Sequence, residues 1–449
     1  MLRIMRTGLV TLGLLVVAAQ CAWGDLYALQ IGDGAAALST AASSLKINKY
    51  SDAGVFMSSL DLPTVASPGV NPIVVRGNSS TESYMHLSTN GRYLVLGGYN
   101  TAVGTATPDS TGSWPRTVAR VDTTNFTAAG TDTTTQLTDA FINSSFRGVA
   151  SVDGSAFWMG GNGASGSGGV RYATLGATAS TGIAATPNNG RVPVIGPDLS
   201  NQPQLYLGSM SGANIGVSIV GTGLPTTSGQ TATLLPGWSD ASGATMDYWF
   251  KDATTLYKAD DRFFSNSGPS PLGGIQKWTY DSGTSLWSLA YNLNPDPASG
   301  TAAASAGRGL TGTVVGGNAV LYVTNAAGGL VTITDTGASS VATSLVTAPT
   351  NTALRGIVFV PGGPVGVSGD YNNNGVVDGA DYVLWRDGGT LQNDPNPGNP
   401  TAQYNFWRSR FGATSGSGSG LDGSAVPEPS TALLLLVGLA TLRSRRAHR

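Results

Sequence analysis

The sequence predicts a mainly β protein: a β-propeller of about six blades, with seven also compatible, followed by a small helical module and a short C-terminal apolar helix. Three observations carry this. Short β-type segments recur in a shared layout, the two ends of the repeating region complement each other, and the composition is rich in turn formers and poor in charge. Glycine and proline supply 63 and 23 of the 449 residues, and only 11% are charged, against roughly 25% in an average soluble domain. Hydrophobic residues still reach 41%, so the chain can bury a core.

The repeating unit is a strand, a tight turn, a second strand and then a third. It is clearest at 84–91, 93–98 and 117–122; at 147–154, 156–161 and 169–174; and at 308–315, 319–324 and 330–334. Fainter units begin near Arg191 and Met246. The starts at 84, 147, 191, 246 and 308 are spaced by about 56 residues on average. Residues 355–360 then form a first strand without successors, whereas 26–31 and 45–50 are successors without a first strand. Pairing the two ends closes a ring and removes the open edges that β proteins must manage. A pair of β-sandwiches is the alternative fold. The recurring Arg-Gly at 147–148, 308–309 and 355–356 marks equivalent inner-strand starts, where the arginines serve structure or ring the channel and bind an anion.

Few residues offer catalytic chemistry. The two histidines are His86 and His448, so a Ser-His-Asp triad must use His86, which falls within a predicted strand and is expected to pack or face solvent. Asp240, Asp247, Asp260 and Asp261 are candidate carboxylates for glycoside hydrolysis, with solvated turn acids as the plainer expectation. Trp238, Trp249, Trp278 and Trp287 cluster in sequence and suit either sugar stacking or packing between blades. Net charge is −2 overall and −7 over residues 25–426, which argues against a nucleic-acid partner or generic binding to anionic lipid. The lone cysteine is Cys21, so residues 25–449 can form neither a disulfide framework nor a cysteine zinc site.

The ends read as addresses. Residues 1–24 carry Arg3 and Arg6, an apolar stretch from Leu9 to Ala19, and the small-x-small site Ala22-Trp23-Gly24, the pattern of a secretory signal peptide. Near the other end, Pro427-Glu428-Pro429 precedes the apolar run 432–442 and then Arg443, Arg445 and Arg446. Arginines beyond a short apolar run stay cytoplasmic and leave the body outside. This order resembles the PEP-CTERM sorting signal over residues 426–449. The resemblance implies cleavage by an exosortase-type membrane protease and delivery to the cell surface or an extracellular matrix, with transient anchoring through the helix.

Before the Gly/Ser linker 413–425 lies a loop with the spacing of an EF-hand calcium site. Counting Asp370 as position 1, oxygen side chains fall at 1, 3, 5, 9 and 12: Asp370, Asn372, Asn374, Asp378 and Asp381. Gly375 takes the sharp turn at position 6, Val376 offers its carbonyl at 7, and Val377 points inward at 8. A second copy 22 residues later is degenerate, with Gln392, Pro397 and Gln403 replacing the first, sixth and twelfth positions, so one calcium ion is expected. The repeated Tyr382–Arg386 and Tyr404–Arg408 segments are expected to pack two helices together. The paired loop–helix organisation over 366–412 resembles a dockerin-type module. Gly379 and Ala380 occupy positions that often carry recognition hydroxyls in that family, which argues against a cohesin partner. Such modules joined to PEP-CTERM tails resemble exported surface proteins of Planctomycetes-type bacteria.

Together these readings predict an exported, non-catalytic surface or matrix protein. Its propeller, about 25–362, binds a glycan or another surface protein. An extracellular polysaccharide hydrolase or lyase is the alternative.

Overall fold

Strands buried on both faces need apolar residues at every position, and alternate side chains then enter different cores. The strand Tyr93–Tyr99 shows this. Leu94 and Leu96 join a cluster with Leu29, Ile47 and Val121, whereas Val95 and Tyr99 join one with Val149, Phe157 and Met159. Each face of the sheet is packed against a neighbouring sheet. The computed structural model describes residues 24–110, 114–238, 240, 243, 245–265, 272–296, 306–362, 369–372, 376–389, 391, 393–394, 396 and 398–413.

Six antiparallel four-stranded sheets form among the described residues, and each is a blade. Their inner strands are Ala353–Pro361 in blade 1, His86–Leu87 in blade 2, Phe146–Ala150 in blade 3, Gly190–Pro197 in blade 4, Thr245–Asp252 in blade 5 and Gly307–Val315 in blade 6. Six hydrophobic clusters lie between successive blades, the last joining Tyr322 and Leu330 of blade 6 to Leu26, Ile357 and Phe359 of blade 1. The ring closes as the complementary ends predicted. Ala353–Pro361 pairs antiparallel with Gly24–Ile31, with Leu26 opposite Phe359, and Leu45–Ser51 and Phe56–Asp61 complete that blade. Among the described residues there are six blades, not seven, and the sandwich alternative does not hold.

Turn chemistry matches local geometry. Gly316 and Gly317 both adopt positive φ, +57° and +85°, as the two-residue hairpin between Val315 and Asn318 demands. Elsewhere aspartates fold back on the backbone two residues on, as where Asp252 accepts from the Thr254 amide and Asp153 from that of Ser155. The repeated Arg-Gly has a packing cause. A side chain at Gly309 would collide with the Arg355 carbonyl, and one at Gly356 with the Met85 amide, so glycine lets adjacent inner strands approach closely.

Residues 363–449 form a second unit. Within it, α1 (Gly379–Arg386) starts at a reciprocal capping box of Asp378 and Asp381, and α2 (Pro400–Arg410) is capped by Asn399. Tyr382 packs on Trp407 at 5.2 Å and Trp385 on Tyr404 at 5.4 Å, holding the two helices together. Val377 is fully buried, and its amide and carbonyl pair with the backbone of Ala413 and Gly412. Among the described residues no helix is long and apolar enough to cross a membrane. The expected apolar helix at 432–442, the signal peptide and the Gly/Ser linker (save Ala413 and Gly24) lie outside the described residues, as do Pro427, Glu428 and Pro429.

Candidate functional site

The central channel is built by the inner strands, and its middle is crossed by one polar contact. His86 of blade 2 reaches Asp247 of blade 5 on the opposite side of the ring, Nε2 to Oδ1 at 3.0 Å. Its Nδ1 lies 2.9 Å from the Val149 carbonyl of blade 3. Asp247 is wholly buried and accepts two further bonds, from its neighbour Tyr248 N at 2.9 Å and from Leu310 N of blade 6 at 3.0 Å. A backbone carbonyl only accepts, so Nδ1 of His86 donates to Val149, and Nε2 shares its hydrogen bond with the Asp247 carboxyl. Burial alone would push His86 down. The charge and hydrogen bond of Asp247, with the Val149 carbonyl, outweigh it and hold His86 above its ordinary 6.5.

On one side of this contact opens a cavity of about 360 Å³ to which all six inner strands or the residues just after them contribute. Its walls mix apolar surface and hydroxyls: Trp249 and Phe359 beside Ser88, Thr89, Ser151 and Thr311. The volume falls within the ~300–1,000 Å³ usual for small-molecule sites. Trp249 lies against the backbone of Gly312, where a Cβ would strike its ring.

His86 therefore neither simply packs nor faces solvent, as the sequence suggested; it bridges blades across the ring. Nor does it serve a triad, since its second nitrogen is bound to a backbone carbonyl. The four aspartates also depart from the expectation of solvated turn acids. Asp240 and Asp260 share Oδ2 contacts with Lys258 at 3.1 and 2.9 Å and with Arg262 at 2.5 and 2.7 Å, and Lys258 and Asp260 are wholly buried. Burial pushes Asp240 up, but Lys258, Gln276 and Arg262 outweigh it and hold it at about 2. Asp261 pairs with Arg308 at 2.9 Å. The sequence signal for this network was present: Lys258, Asp260 and Arg262 alternate along Thr255–Ser265 and so share one face. Trp238 stacks on Trp278 at 3.8 Å within the cluster between blades 4 and 5, which also holds Trp287. Of the four tryptophans, Trp249 is the one at the cavity.

In the second unit, the loop ends are brought together. Asp370 and Asp381 are both fully buried, and Asp381 accepts from the amides of Asn372 at 2.9 Å and Asp378 at 2.7 Å. Asp378 turns one oxygen to the Ala380 amide at the start of α1. Val376 is described, whereas Asn374 and Gly375 lie outside the described residues. Among the described residues no three acidic, histidine or cysteine side chains converge as a metal cage. The donor set is nonetheless all hard oxygen, as calcium requires, with buried carboxylates at positions 1 and 12. The second loop is closed differently. Gln403 donates to Asp394 Oδ2 at 2.6 Å, a bond that ties α2 to this loop.

Comparison with known proteins adds the following. No family model matches the chain, and no curated protein sequence matches it. Solved structures similar to it include the periplasmic gluconolactonase PpgL of Pseudomonas aeruginosa, 13% identical, covering 72% of this chain and 83% of that one at a TM-score of 0.40. The β-propeller domain of Myceliophteria thermophila Cps50 (Swd1) is 11% identical, covering 61% and 88% at 0.35. The SapL1 lectin in complex with α-methyl fucoside is 13% identical, covering 72% and 97% at 0.31. The class assigned here, a six-bladed β-propeller joined to a small two-helix unit, rests on this chain's own strand pairing.

Proposed function

We propose that this chain is an exported surface or matrix protein whose propeller binds a glycan or a surface protein partner without turning it over. A dockerin-like stalk holding one calcium ion carries the propeller. Asp370, Asn372, Asn374, Asp378 and Asp381 would supply side-chain oxygens and Val376 its carbonyl, and the ion would rigidify the loop. The tail would be sorted at Pro427-Glu428-Pro429 by an exosortase-type protease. The observation supporting a binding role is the state of His86: both ring nitrogens are engaged and its carboxylate partner accepts three bonds. That leaves neither ring nitrogen of His86 free to meet a bound ligand. The cavity beside it offers aromatic faces and hydroxyls, the surface chemistry that suits a sugar ring.

The test is binding and turnover of a polysaccharide panel, including the producing cell's own matrix, by the purified full chain and its Trp249→Ala variant. Saturable binding without new reducing ends, weakened about tenfold in the variant, is the expected result, since losing one aromatic stacking partner costs about 1–2 kcal/mol. Release of reducing ends or unsaturated products would make the propeller an enzyme.

A further inference from the structure

The opposite side of the His86–Asp247 contact is lined by arginines. The inner-strand starts align as Tyr84, Arg147, Arg191, Met246, Arg308 and Arg355, so four of six blades place a guanidinium at one level of the ring. Arg147, Arg191 and Arg355 are 8%, 6% and 5% exposed, and among the described residues none has a carboxylate within ion-pairing distance. Arg308 alone has one, Asp261. Their nearest partners are neutral. Arg147 donates to Asn189 and the Gly190 carbonyl, and Arg355 to the Gly77 carbonyl at 2.6 Å. Arg191 points its two terminal nitrogens at thioethers, Met246 Sδ at 3.2 Å and Met210 Sδ at 3.0 Å, which are weak acceptors. Among the described residues, one buried nitrogen on each of these three side chains has no partner: Nε of Arg147 and Arg191, Nη1 of Arg355.

The guanidiniums are close enough to repel. Arg191's charge adds to burial in lowering Arg147, and Arg308's does the same to Arg191 and Arg355. Arginine stays protonated in spite of this. Buried Glu82 is the other acid that Arg147 and Arg355 sense, and burial and Asp109 push it up to about 7, so near neutrality it is only partly charged. An unpaired buried charge is expensive, and among the described residues these guanidiniums outnumber the acids beside them, Asp261 and Glu82. A cavity of about 280 Å³ opens at this level, lined by Arg308 and Arg355 together with Asn78 and Ser80.

We propose that this end of the channel binds a small oxyanion, a sulfate, phosphate or carboxylate group, held by Arg308 and Arg355 within the field of Arg191 and Arg147. The group is either a free inorganic ion or an anionic substituent on a glycan. This inference stands independently of the display role proposed above, because it uses a different end of the channel.

The test is calorimetric titration of the purified full chain in 100 mM NaCl with sodium sulfate, phosphate and acetate, alongside thermal melting against each. Arg355→Met and Arg191→Met remove charge but keep length, and Arg92→Met, on an exposed arginine paired with Asp122, is the control. At least one oxyanion should bind saturably, near one per chain. Binding should weaken at least tenfold in both variants and not in the control. Without added oxyanion the two variants should melt no lower than the wild type, because each loses an uncompensated charge. A sulfated oligosaccharide that competes with inorganic sulfate, while its desulfated counterpart does not, assigns the anion to a glycan; no competition assigns it to the free ion. Absence of saturable binding by the folded wild type, an effect that chloride reproduces equally, or affinity unchanged in both variants would overturn the proposal. Should Arg355→Met fail to fold, Arg191→Met and the wild-type comparison with chloride still decide. Neutral glycan binding that ignores all three variants would keep the display role while leaving this site to stand or fall on the inorganic ions.

Discussion

Asp247→Asn isolates the contact that crosses the channel. The substitution keeps shape while removing the carboxylate that raises His86 and one of three accepting positions. Breaking a buried charge pair by removing one partner costs about 3–5 kcal/mol. His86 keeps 15% side-chain exposure toward the cavity, so the lower end applies. About 3 kcal/mol is a shift of roughly 100-fold in the unfolding equilibrium. The sign with pH follows from His86 lying above its ordinary 6.5 in the folded state. The pair's stabilisation is complete below about pH 6.5 and is lost as pH rises through the raised value. Urea denaturation followed by tryptophan fluorescence at intervals from pH 6 to pH 9 measures this. The deficit of Asp247→Asn relative to the wild type should be greatest at pH 6 and shrink toward pH 9. A deficit constant with pH, or one below about 0.5 kcal/mol at pH 6, would refute the charged pair.

Glu82→Gln tests the other buried acid near the channel. Burial raises Glu82 from 4.5 to about 7, so its ionisation costs nothing below pH 4.5, costs progressively more up to pH 7, and is fully felt above that. The variant should gain about 3 kcal/mol over the wild type at pH 8 and little at pH 4.5, read as urea midpoints; a loss at pH 8 would show that the arginines hold Glu82 ionised and need it so. For the second unit, calcium titration of the full chain should find one site, abolished by Asp381→Ala, which removes a carboxylate that also gathers two loop amides. Two sites would mean that the second loop holds a cation despite the Gln403–Asp394 bond.

The ring was legible because its signal is local. Each inner-strand start, from Tyr84 to Arg355, announces itself by short alternating or continuous apolar runs between Gly, Asn and Asp, and all six lie at or within two residues of the start of an inner strand. The unpaired ends at 26–31 and 355–360 told which strands must meet, because a sheet edge left open is costly whatever the residues nearby. The crossing contact was illegible for the opposite reason. His86 and Asp247 are 161 residues apart, and nothing near either one says that their blades face each other; that follows only from the count of blades and the closure of the ring. The buried network around Asp240 lay between these cases. The alternation of Lys258, Asp260 and Arg262 shows a shared face, but not that Trp238, Trp278 and Gln276 cover it. The loop positions from Asp370 to Asp381 were readable at the level of spacing alone, because coordination loops are contiguous in sequence.

Closure by the last strand sets an order of events. Synthesis delivers Gly24–Ile31 early, yet the inner partner of that strand, Ala353–Pro361, is made more than three hundred residues later. Until then the blade is three strands with a bare edge, and the cluster of Leu26, Ala28 and Tyr50 lacks Leu354, Ile357 and Phe359. Such non-local pairings are slow because chain entropy must be given up before any contact rewards it. A chain interrupted before residue 353 leaves the first blade at three strands with an unpaired edge, the kind of surface prone to wrong pairing. The closing strand is thus the step that completes the ring and covers its last open edge.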